Sequence, residues 1–359
     1  MRRRICYFLG TYEDWGGASR ALLNFIVRVD RQKFDPLVVV TKPGKLLEKL
    51  AELGIATAVR PKQDWNGNPF KFVLDVFQAI AFLREQKVDL IHLNGGSLGW
   101  KPPELIAARI LGTPVLMHYH IVSKSVTPFL RFVQGVIAVS RFVAEHTPFG
   151  GKSISVVHNI ADVARFGHGR SIRQELGFAE SDIVIGFLGQ IKSIKGVEMF
   201  LRLPAALDNP KVKFMIAGET KDKDPEFIAR FNAAVAANPA INYVGFRSDP
   251  ENIYASADIL VMPSQWEEPC AMVLFESAAA RKPIIASRTG GTPEIIQDGV
   301  NGLLFERDDF AALVRHIRQL IDHPAERAAL GERAYQAVEK SFIQAPVQKL
   351  EHLYLETLG

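Results

Sequence analysis

Short apolar runs alternate with longer amphipathic stretches through the first half of the chain. The runs are rich in Val, Ile and Leu and occupy residues 4–10, 35–42, 88–95, 114–120, 135–140 and 154–159. Continuous apolar runs of this length predict strands that are covered on both faces, as in parallel sheets. Most of the intervals between them have helix length, and the first carries apolar residues at helical spacing from Leu22 to Val29. This half is therefore predicted to be α/β.

The same rhythm returns after a polar stretch at 161–182, which is predicted to be a linker with a short helix at 171–176. The later apolar runs occupy residues 182–190, 213–219, 241–246, 258–264, 283–287 and 302–306. From Asp309 onward the pattern is helical throughout. We therefore predict two doubly wound α/β domains, whose ligands bind at the carboxyl ends of the strands.

Composition narrows the classes of protein to which this chain can belong. A length of 359 residues is typical of about two domains, and a net charge of +4 gives no case for nucleic-acid binding. The two cysteines, Cys6 and Cys270, match no metal or redox spacing and fit a reducing compartment. No window approaches the roughly 20 apolar residues of a membrane span. We expect a cytoplasmic protein whose membrane contact is at most weak and peripheral, through the arginines at 2–4.

Glu268 and Glu276 lie at the two ends of an apolar stretch. A carboxylate that is buried there requires either a partner within the protein or a ligand. Pro269 is typical of a first helical residue and predicts a helix over 269–281, whose free N–H groups suit a phosphate. Eight helical positions span about 12 Å, which is close to the reach from a sugar hydroxyl across a diphosphate to a ribose. The spacing therefore suits a nucleotide sugar.

The spacing alone leaves a purely structural alternative open. In that alternative Glu268 caps the helix and Glu276 pairs with Arg281 or Lys282.

From about 186 to 306 the chain resembles the retaining glycosyltransferases of family 4. The motifs that carry the resemblance are, in chain order, GQIKSIKG (189–196), EPCAMVLFE (268–276), PIIAS (283–287), GGTPE (290–294) and DGVNGLLF (298–305). The first resembles the family's phosphate loop and places Lys195 on its lysine, and the second is the Glu-x7-Glu hallmark. NIADVARF (159–166) resembles the stretch that opens the family's interdomain linker. Several motifs in the right order are far more specific than any one of them.

The resemblance implies the GT-B architecture, in which two Rossmann-like domains face a central cleft and the last helix crosses back to the first domain. We accordingly expect an acceptor-binding domain over 1–165, a donor-binding domain over 166–340, and a returning helix over 341–359. The helical spacing of apolar residues at 341–358 fits that last element.

The resemblance also assigns roles to individual residues. It implies that Glu268 orients the sugar hydroxyls, that Glu276 binds the ribose, and that Lys195 stabilises the departing diphosphate. The expected catalytic residues are Glu268, His120 and Lys195. The expected donor-binding residues are Gly16, Gly17, Gln190, Lys195, Phe246, Arg247, Cys270, Ala271, Met272 and Glu276. No metal site and no cofactor are expected.

The N-terminal half matches the family more loosely. Gly16 and Gly17 resemble a glycine loop that approaches the donor phosphate, with a simple turn into a helix as the alternative. His120, six residues after Pro114, corresponds to the family's histidine beside the sugar. We prefer it to His118, which we place on the opposite face of the strand, and we interpret His92 as a strand residue.

Several positions depart from the family pattern. Gln190 stands where the family has arginine, which removes one cation from the phosphate clamp, and Lys192 or Arg288 is a candidate replacement. Cys270 and Ala271 replace Phe and Gly, and Ile160 replaces a linker glycine.

Asp222 and Asp224 together spell the metal triad of the other large transferase fold. They lie in the polar run TKDKDPE, and we interpret them as part of a solvated loop.

Taken together, the resemblance implies metal-independent, retaining transfer of a sugar from a UDP- or GDP-sugar. The acceptor is a glycan, a lipid-linked glycan or a small molecule, and cell-surface polysaccharide synthesis is among the roles left open. Two alternatives remain: a GT-B epimerase, and a non-catalytic nucleotide-sugar-binding partner in glycan assembly.

Overall fold

The computed structural model describes residues 2–9, 16–61, 63–95 and 101–359. Its internal contacts divide the chain into two compact units. The first unit comprises Met1–Ile160 together with Gln344–Gly359, and the second comprises Ala161–Ile343.

The first unit is built on a parallel sheet of seven strands. The strands are β1 (Arg3–Leu9), β2 (Phe34–Val40), β3 (Ala56–Val59), β4 (Leu90–Asn94), β5 (Val115–Tyr119), β6 (Gly135–Ala138) and β7 (Ile154–Val156). Their order across the sheet is β3-β2-β1-β4-β5-β6-β7, so the direction of winding reverses between β1 and β4. The helices before the linker are α1 (Gly17–Ile26), α2 (Lys45–Glu52), α3 (Pro69–Glu85), α4 (Pro103–Leu111) and α5 (Arg141–His146), with a 3₁₀ helix at Pro128–Phe132.

The second unit repeats the design with a parallel sheet of six strands in the order β10-β9-β8-β11-β12-β13. The strands are β8 (Ile183–Leu188), β9 (Val212–Ala217), β10 (Ile241–Tyr243), β11 (Ile259–Met262), β12 (Ile284–Ser287) and β13 (Leu303–Phe305). The helices are α6 (Val163–Gly167), α7 (Val197–Leu201), α8 (Leu203–Leu207), α9 (Pro225–Ala237), α10 (Pro250–Ser256), α11 (Met272–Ala279), α12 (Thr292–Ile295), α13 (Phe310–Asp322) and α14 (Pro324–Ser341), with a 3₁₀ helix at Ser193–Lys195. Here the winding reverses between β8 and β11.

Each apolar run that predicted a strand contains one, at the sheet edges (β7, β10 and β13) as well as in the interior, and the predicted α/β fold class is confirmed. Strand β3 has no counterpart among the predicted runs, because it is a short edge strand whose residues are half-buried or exposed. The helix predicted at 171–176 is wrong. That segment forms turns that end at Gly177, which has a φ of +71°.

The last helix, α15 (Gln344–Leu358), packs in the first unit, as predicted. It buries Val347, Leu350 and Tyr354 in the core of that unit. The backbone N–H of Asp30 donates to Glu351 over 2.6 Å. Burying three large side chains of one helix contributes about 1.5–3 kcal/mol each, which is enough to fix α15 on this unit.

Candidate active site

The reversal of winding in the second unit brings two loops together at the carboxyl ends of β8 and β11. In doubly wound sheets this switch point is where ligands bind. The loop after β8 is 189–196, and the loop after β11 is 263–271. They carry Lys195 and Glu268, two of the three residues that the resemblance implied to be catalytic.

Gly196 explains why these two loops can touch. Its φ is +71°, and a Cβ built on it would lie 1.8 Å from the carbonyl oxygen of Pro263. The backbone N–H of Gln265 donates to the Ile194 carbonyl over 2.8 Å at the same junction. Because a side chain at 196 would collide with backbone, glycine is required for the contact. Gly196 therefore allows the loop that carries Lys195 to pack against the loop that carries Glu268.

The contact places Lys195 against Glu268. The lysine Nζ lies 2.8 Å from Oε1 and 3.1 Å from Oε2 of the carboxylate. The Ser264 hydroxyl donates to Oε1 over 2.5 Å, and the lysine Nζ also lies 5.0 Å from the centre of the Trp266 ring. The Glu268 side chain is 4% exposed and that of Lys195 is 24% exposed. A buried carboxylate needs such partners, and the lysine is the member of the pair that solvent reaches.

A second glycine pair holds the backbone of Glu268 from the other side. The N–H of Gly291 donates to the Glu268 carbonyl over 2.7 Å, and Gly290 has a φ of +50° with its Cβ position 2.3 Å from the same oxygen. Glu267 accepts the Gly290 N–H over 2.5 Å and is ion-paired with Arg307. The motif at 290–294 therefore positions Glu268 through main-chain contacts.

Helix α11 begins at Met272, so the predicted start at Pro269 is wrong. The Glu268 carbonyl, which would accept the first intrahelical bond of a helix starting at Pro269, instead accepts the N–H of Gly291. The 12 Å span estimated for eight helical positions therefore does not apply. Ala271 is the N-cap and makes no side-chain cap hydrogen bond. The helix start thus offers backbone N–H donors to a ligand.

Glu276 is buried in α11 and accepts a hydrogen bond from the Tyr254 hydroxyl over 2.8 Å. Tyr254 lies on α10 and packs edge-on against Phe166, with ring centres 5.3 Å apart. Arg281 is paired with Glu332, and Lys282 donates to the Ala255 carbonyl. Sequence reasoning missed Tyr254, because nothing in its local sequence links it to Glu276.

Other expected donor-site residues lie near the same sheet edge with different partners. Arg247 is held by two bonds to Asp249, both of 2.8 Å, and by one of 2.6 Å to Glu175. These bonds raise the pKa of Arg247 and lower the pKa of Asp249 to about 2. Phe246 is 50% exposed, and Gln190 is half-buried directly after β8.

The candidate replacements for the missing arginine also have fixed positions. Arg288 is ion-paired with Glu306 and Asp298, and Lys192 is the N-cap residue of the 3₁₀ helix at Ser193–Lys195.

Asp222 and Asp224 accept hydrogen bonds from nearby backbone N–H groups. Asp222 accepts the backbone N–H of Ser193 over 2.7 Å, and such backbone bonds lower its pKa. Asp224 caps α9 by accepting the N–H of Glu226. Within the part of the chain that the structure describes, no group of three or more His, Cys, Asp or Glu residues could hold a metal ion.

The switch point of the first unit, between β1 and β4, has a different chemistry. Gly16 precedes α1, and a Cβ on Gly17 would meet no described atom within 4 Å. Asn94, at the end of β4, donates from Nδ2 to the Ala18 carbonyl over 3.5 Å and lies 2.8 Å from His120 Nε2 through Oδ1. Asn94 therefore joins the start of α1 to His120, and the motifs gave no indication of it.

The expectation that His118 faces away from His120 is wrong. Residues two apart on a strand share a face, and the two rings lie 4.3 Å apart between centres. His92 Nε2 is 3.2 Å from His118 Nδ1, and its other nitrogen is 2.7 Å from the Tyr354 hydroxyl on α15. The three histidines thus form one row, in which His92 and His118 are buried and His120 is half-buried.

Burial keeps these histidines neutral. Desolvation lowers the pKa of His92 to about 3 and that of His120 to about 4, and it also lowers the pKa of His118. A charged group in this row would lack the hydration that it has in water. The first-unit site therefore presents neutral hydrogen-bonding groups.

Among the described residues, no helix is long and apolar enough to cross a membrane.

Comparison with known proteins matches both halves of the chain to glycosyltransferases. A family model described as glycosyl transferases group 1 matches residues 169–337, and one described as glycosyltransferase family 4 matches residues 15–165. A D-inositol 3-phosphate glycosyltransferase of Streptomyces avermitilis is 27% identical over 77% of this chain and 67% of its own length. Spore coat protein SA of Bacillus subtilis is 29% identical over 48% of each chain. The chain thus spans about half to two thirds of the length of these relatives.

Solved structures share the fold along nearly the whole chain. A glycosyltransferase from Rickettsia africae has a TM-score of 0.87 at 19% identity and covers 99% of both chains. Anabaena Alr3699/HepE in complex with UDP and glucose has a TM-score of 0.81 at 22% identity and covers 98% of this chain and 99% of its own. Together with the two family models, which follow one another along the sequence, these matches show that the chain belongs to the family 4, group 1 glycosyltransferases and has the GT-B fold.

Proposed function

We propose that this protein is a retaining glycosyltransferase that uses a nucleoside-diphosphate sugar and needs no metal ion. The observation that carries the proposal is the pairing of Lys195 with Glu268 at the carboxyl ends of β8 and β11, beside the start of α11. Solved relatives of the same fold have been crystallised with UDP and with UDP-glucose, and a UDP- or GDP-sugar is accordingly the proposed donor.

The donor diphosphate needs fixed positive potential. Lys195 provides a cation, and the start of α11 provides uncapped N–H groups with a partial positive charge of about half a unit. Such donors require no reorganisation as negative charge develops on the leaving group. Gln190 is neutral, so Lys195 and the helix carry the larger share of this task.

The two carboxylates divide the remaining work. Glu268 is held by Lys195 and Ser264, and in the proposal it accepts hydrogen bonds from the sugar hydroxyls. Glu276, whose carboxylate Tyr254 orients, accepts them from the ribose. Phe246, Arg247 and the stretch Cys270 to Met272 complete the proposed donor site in the second unit. Gly16 and Gly17, in the first unit, stay proposed contacts of the donor phosphate.

In the proposed reaction the bond between the anomeric carbon and the phosphate oxygen breaks. The acceptor hydroxyl oxygen bonds to the same face of that carbon, and its proton passes to the departing phosphate oxygen. No protein base is required for this step. The neutral His120, a proposed catalytic residue, assists through hydrogen bonding. Because its Nε2 faces Asn94 Oδ1, which accepts, the proton lies on Nε2 and leaves Nδ1 as an acceptor.

The test has two stages. Thermal unfolding is measured with UDP, GDP and their sugars, since ligand binding to the folded state raises apparent stability. The donor that stabilises the protein is then incubated with glycan, lipid-linked and small-molecule acceptors, and the anomeric configuration of the product is read by NMR. Retained configuration supports the proposal. Inverted configuration, free sugar released without any acceptor, or binding without turnover contradicts it.

A further inference from the structure

A small cavity lies at the carboxyl ends of the first three strands of the first unit. Its volume is about 20 Å³, which gives room for one water molecule or one hydroxyl group. Phe8 and Leu9, at the end of β1, form part of its apolar wall. Its polar lining includes Arg60 and Gln63, which follow β3, and Glu104 in the first turn of α4. The fold thus brings three hydrogen-bonding side chains to one point at the sheet edge where ligands bind.

Glu104 is the residue of this lining that most needs a partner. It is 7% exposed, and within the described ranges no side chain donates a hydrogen bond to its carboxylate. Desolvation raises the pKa of Glu104 to about 7; its own backbone N–H and the charge of Arg60 oppose that rise, whereas Asp75 and Asp64 add to it. A buried carboxylate in these surroundings is costly unless a ligand supplies the missing donor.

Gln63 contributes a second unsatisfied atom to the lining. Its Nε2 donates to Asp75 Oδ1 over 3.0 Å and to Gln78 Oε1 over 2.9 Å, and these two bonds fix the orientation of the amide. Its own Oε1 is buried and accepts no hydrogen bond from the residues that the structure describes. The loop that carries Gln63 is held to the start of α4 by Asp64, which accepts the backbone N–H of Lys101 over 2.8 Å. Gln63 therefore offers an acceptor that the folded chain leaves unused.

Arg60 supplies donors to the same lining. Its Cζ atom lies 4.5 Å from the centre of the Phe82 ring, in a cation–π arrangement. Among the described residues, none forms an ion pair or a side-chain hydrogen bond with its guanidinium. A guanidinium has five N–H donors and no acceptor. The cavity therefore combines N–H donors with carboxylate and amide oxygens that accept.

This mixture of groups selects a hydroxyl as the occupant of the cavity. An anionic group would be repelled by the ionised Glu104 carboxylate, and an ammonium group would be repelled by Arg60. A hydroxyl has one donor and two acceptor lone pairs on a single atom, so it can accept from Arg60 and donate to Glu104 or Gln63. A ligand that carries such hydroxyls and no charge is a sugar or a related polyol.

The order of the strands sets the distance between the cavity and His120. From β3, β2 and β1 the sheet continues through β4 to β5, which His120 follows directly. Two to three strands therefore separate the cavity from His120, and at about 4.8 Å per strand this is roughly 10–15 Å along the sheet. Such a distance is longer than one sugar ring. A sugar held in the cavity that also reaches His120 must therefore contain a second ring.

We propose that Arg60, Gln63 and Glu104 form a hydroxyl-binding subsite that selects oligosaccharide acceptors of at least two rings, by binding a hydroxyl that does not react. The inference rests on the proposed function, because it names the acceptor class of that same reaction. It uses none of the residues that the proposed function assigns to the donor or to catalysis.

The first experiment measures sugar binding to the full chain without any donor, by saturation-transfer NMR with maltose, cellobiose and lactose. We expect at least one disaccharide to bind the wild type, and Glu104→Leu to lose about tenfold or more in affinity, because a hydrogen bond to a charged group is removed. Glu104→Gln keeps an accepting oxygen and should lie between the two. The matched control is Glu85→Leu, which replaces an exposed glutamate at the end of α3 and should bind as the wild type does.

A second variant and a kinetic measurement separate binding from folding and from catalysis. Glu104→Leu should unfold at the same temperature as the wild type or higher, since it removes a charge that burial disfavours. Arg60→Met removes the donors from the other side of the cavity and should weaken binding as well. In transfer to the disaccharide that binds, both variants should raise KM about tenfold or more and leave kcat within about twofold, as expected for groups that bind a part of the acceptor remote from the reaction.

The outcomes distinguish a failure of the subsite from a failure of the proposed function. Binding of none of the three disaccharides would overturn the subsite, and so would equal binding by the wild type, Glu104→Leu and Arg60→Met. A fall in kcat at unchanged KM would also overturn it. Disaccharide binding that Glu104→Leu weakens, without transfer from any donor, would support the subsite and contradict the proposed function.

Discussion

The two units have the same kind of sheet, but their switch points contain opposite chemistry. In the second unit the loops present an ion pair, Lys195 with Glu268, fixed by glycines that touch backbone. In the first unit the strand ends present neutral histidines and Asn94, joined to the core by hydrogen bonds. A bound diphosphate needs positive charge nearby, whereas a sugar or acceptor hydroxyl does not. The contrast therefore agrees with the proposal that the second unit binds the donor and the first unit binds the acceptor.

Gly196→Ala should have the largest effect, because it disrupts the contact between the loops that carry Lys195 and Glu268. The new Cβ would meet the Pro263 carbonyl, and we expect loss of measurable transfer with a destabilisation of about 3 kcal/mol. Gly177→Ala is the matched control, since Gly177 has the same φ of +71° with no described atom within 4 Å of its Cβ position. Denaturant unfolding and donor turnover are measured for both. Equal effects would show that backbone strain, and not the loop contact, is what matters.

Acidification should lower stability through the histidines of the first unit, which are neutral in the folded protein. The folded pKa values of His92 and His120 lie below the ordinary value of about 6.5. Their contribution to stability is therefore complete above that value and is lost as pH falls from there toward about 4 and about 3. Each histidine should contribute up to about 1.4 kcal/mol per pH unit in this range. Urea unfolding at several pH values checks this for the wild type and for His92→Gln. An unchanged slope in the variant would contradict the account of His92.

Lys195→Ala should abolish turnover and lower stability by about 3 kcal/mol, because it leaves the Glu268 carboxylate buried without its cation. Lys195→Ala/Glu268→Gln should recover much of that stability but not the turnover. Calorimetry and turnover assays separate the two effects. If the double variant is as unstable as the single one, burial of an unpaired charge is not the cause.

Glu276→Ala should weaken nucleotide binding by roughly 1.5–3 kcal/mol, the range for hydrogen bonds to charged groups. Tyr254→Phe removes the hydroxyl that orients Glu276 and should cost less. Titration calorimetry with the nucleoside diphosphate provides the comparison. Unchanged affinity together with lowered stability would make Glu276 a structural residue of α11.

The fold could be predicted from sequence because apolar runs are local patterns, and they predicted most of the strands. The family resemblance assigned Lys195 and Glu268 to one site but did not predict the ion pair between them. The start of α11 could not be predicted, since the long-range bond from the Gly291 N–H to the Glu268 carbonyl overrides the preference of Pro269 for a first helical turn. Tyr254, Asn94 and Tyr354 were missed for the same reason, because each acts through a partner far away in the sequence.

The central claim is that fixed protein charge, and not a metal ion, neutralises the departing diphosphate. Turnover is measured after exhaustive chelation for the wild type, Lys195→Ala and Asp222→Ala/Asp224→Ala. The account predicts full activity in chelator for the wild type, loss in Lys195→Ala, and retained turnover in the aspartate variant. Activity that returns only with magnesium or manganese and is absent from the aspartate variant would contradict it.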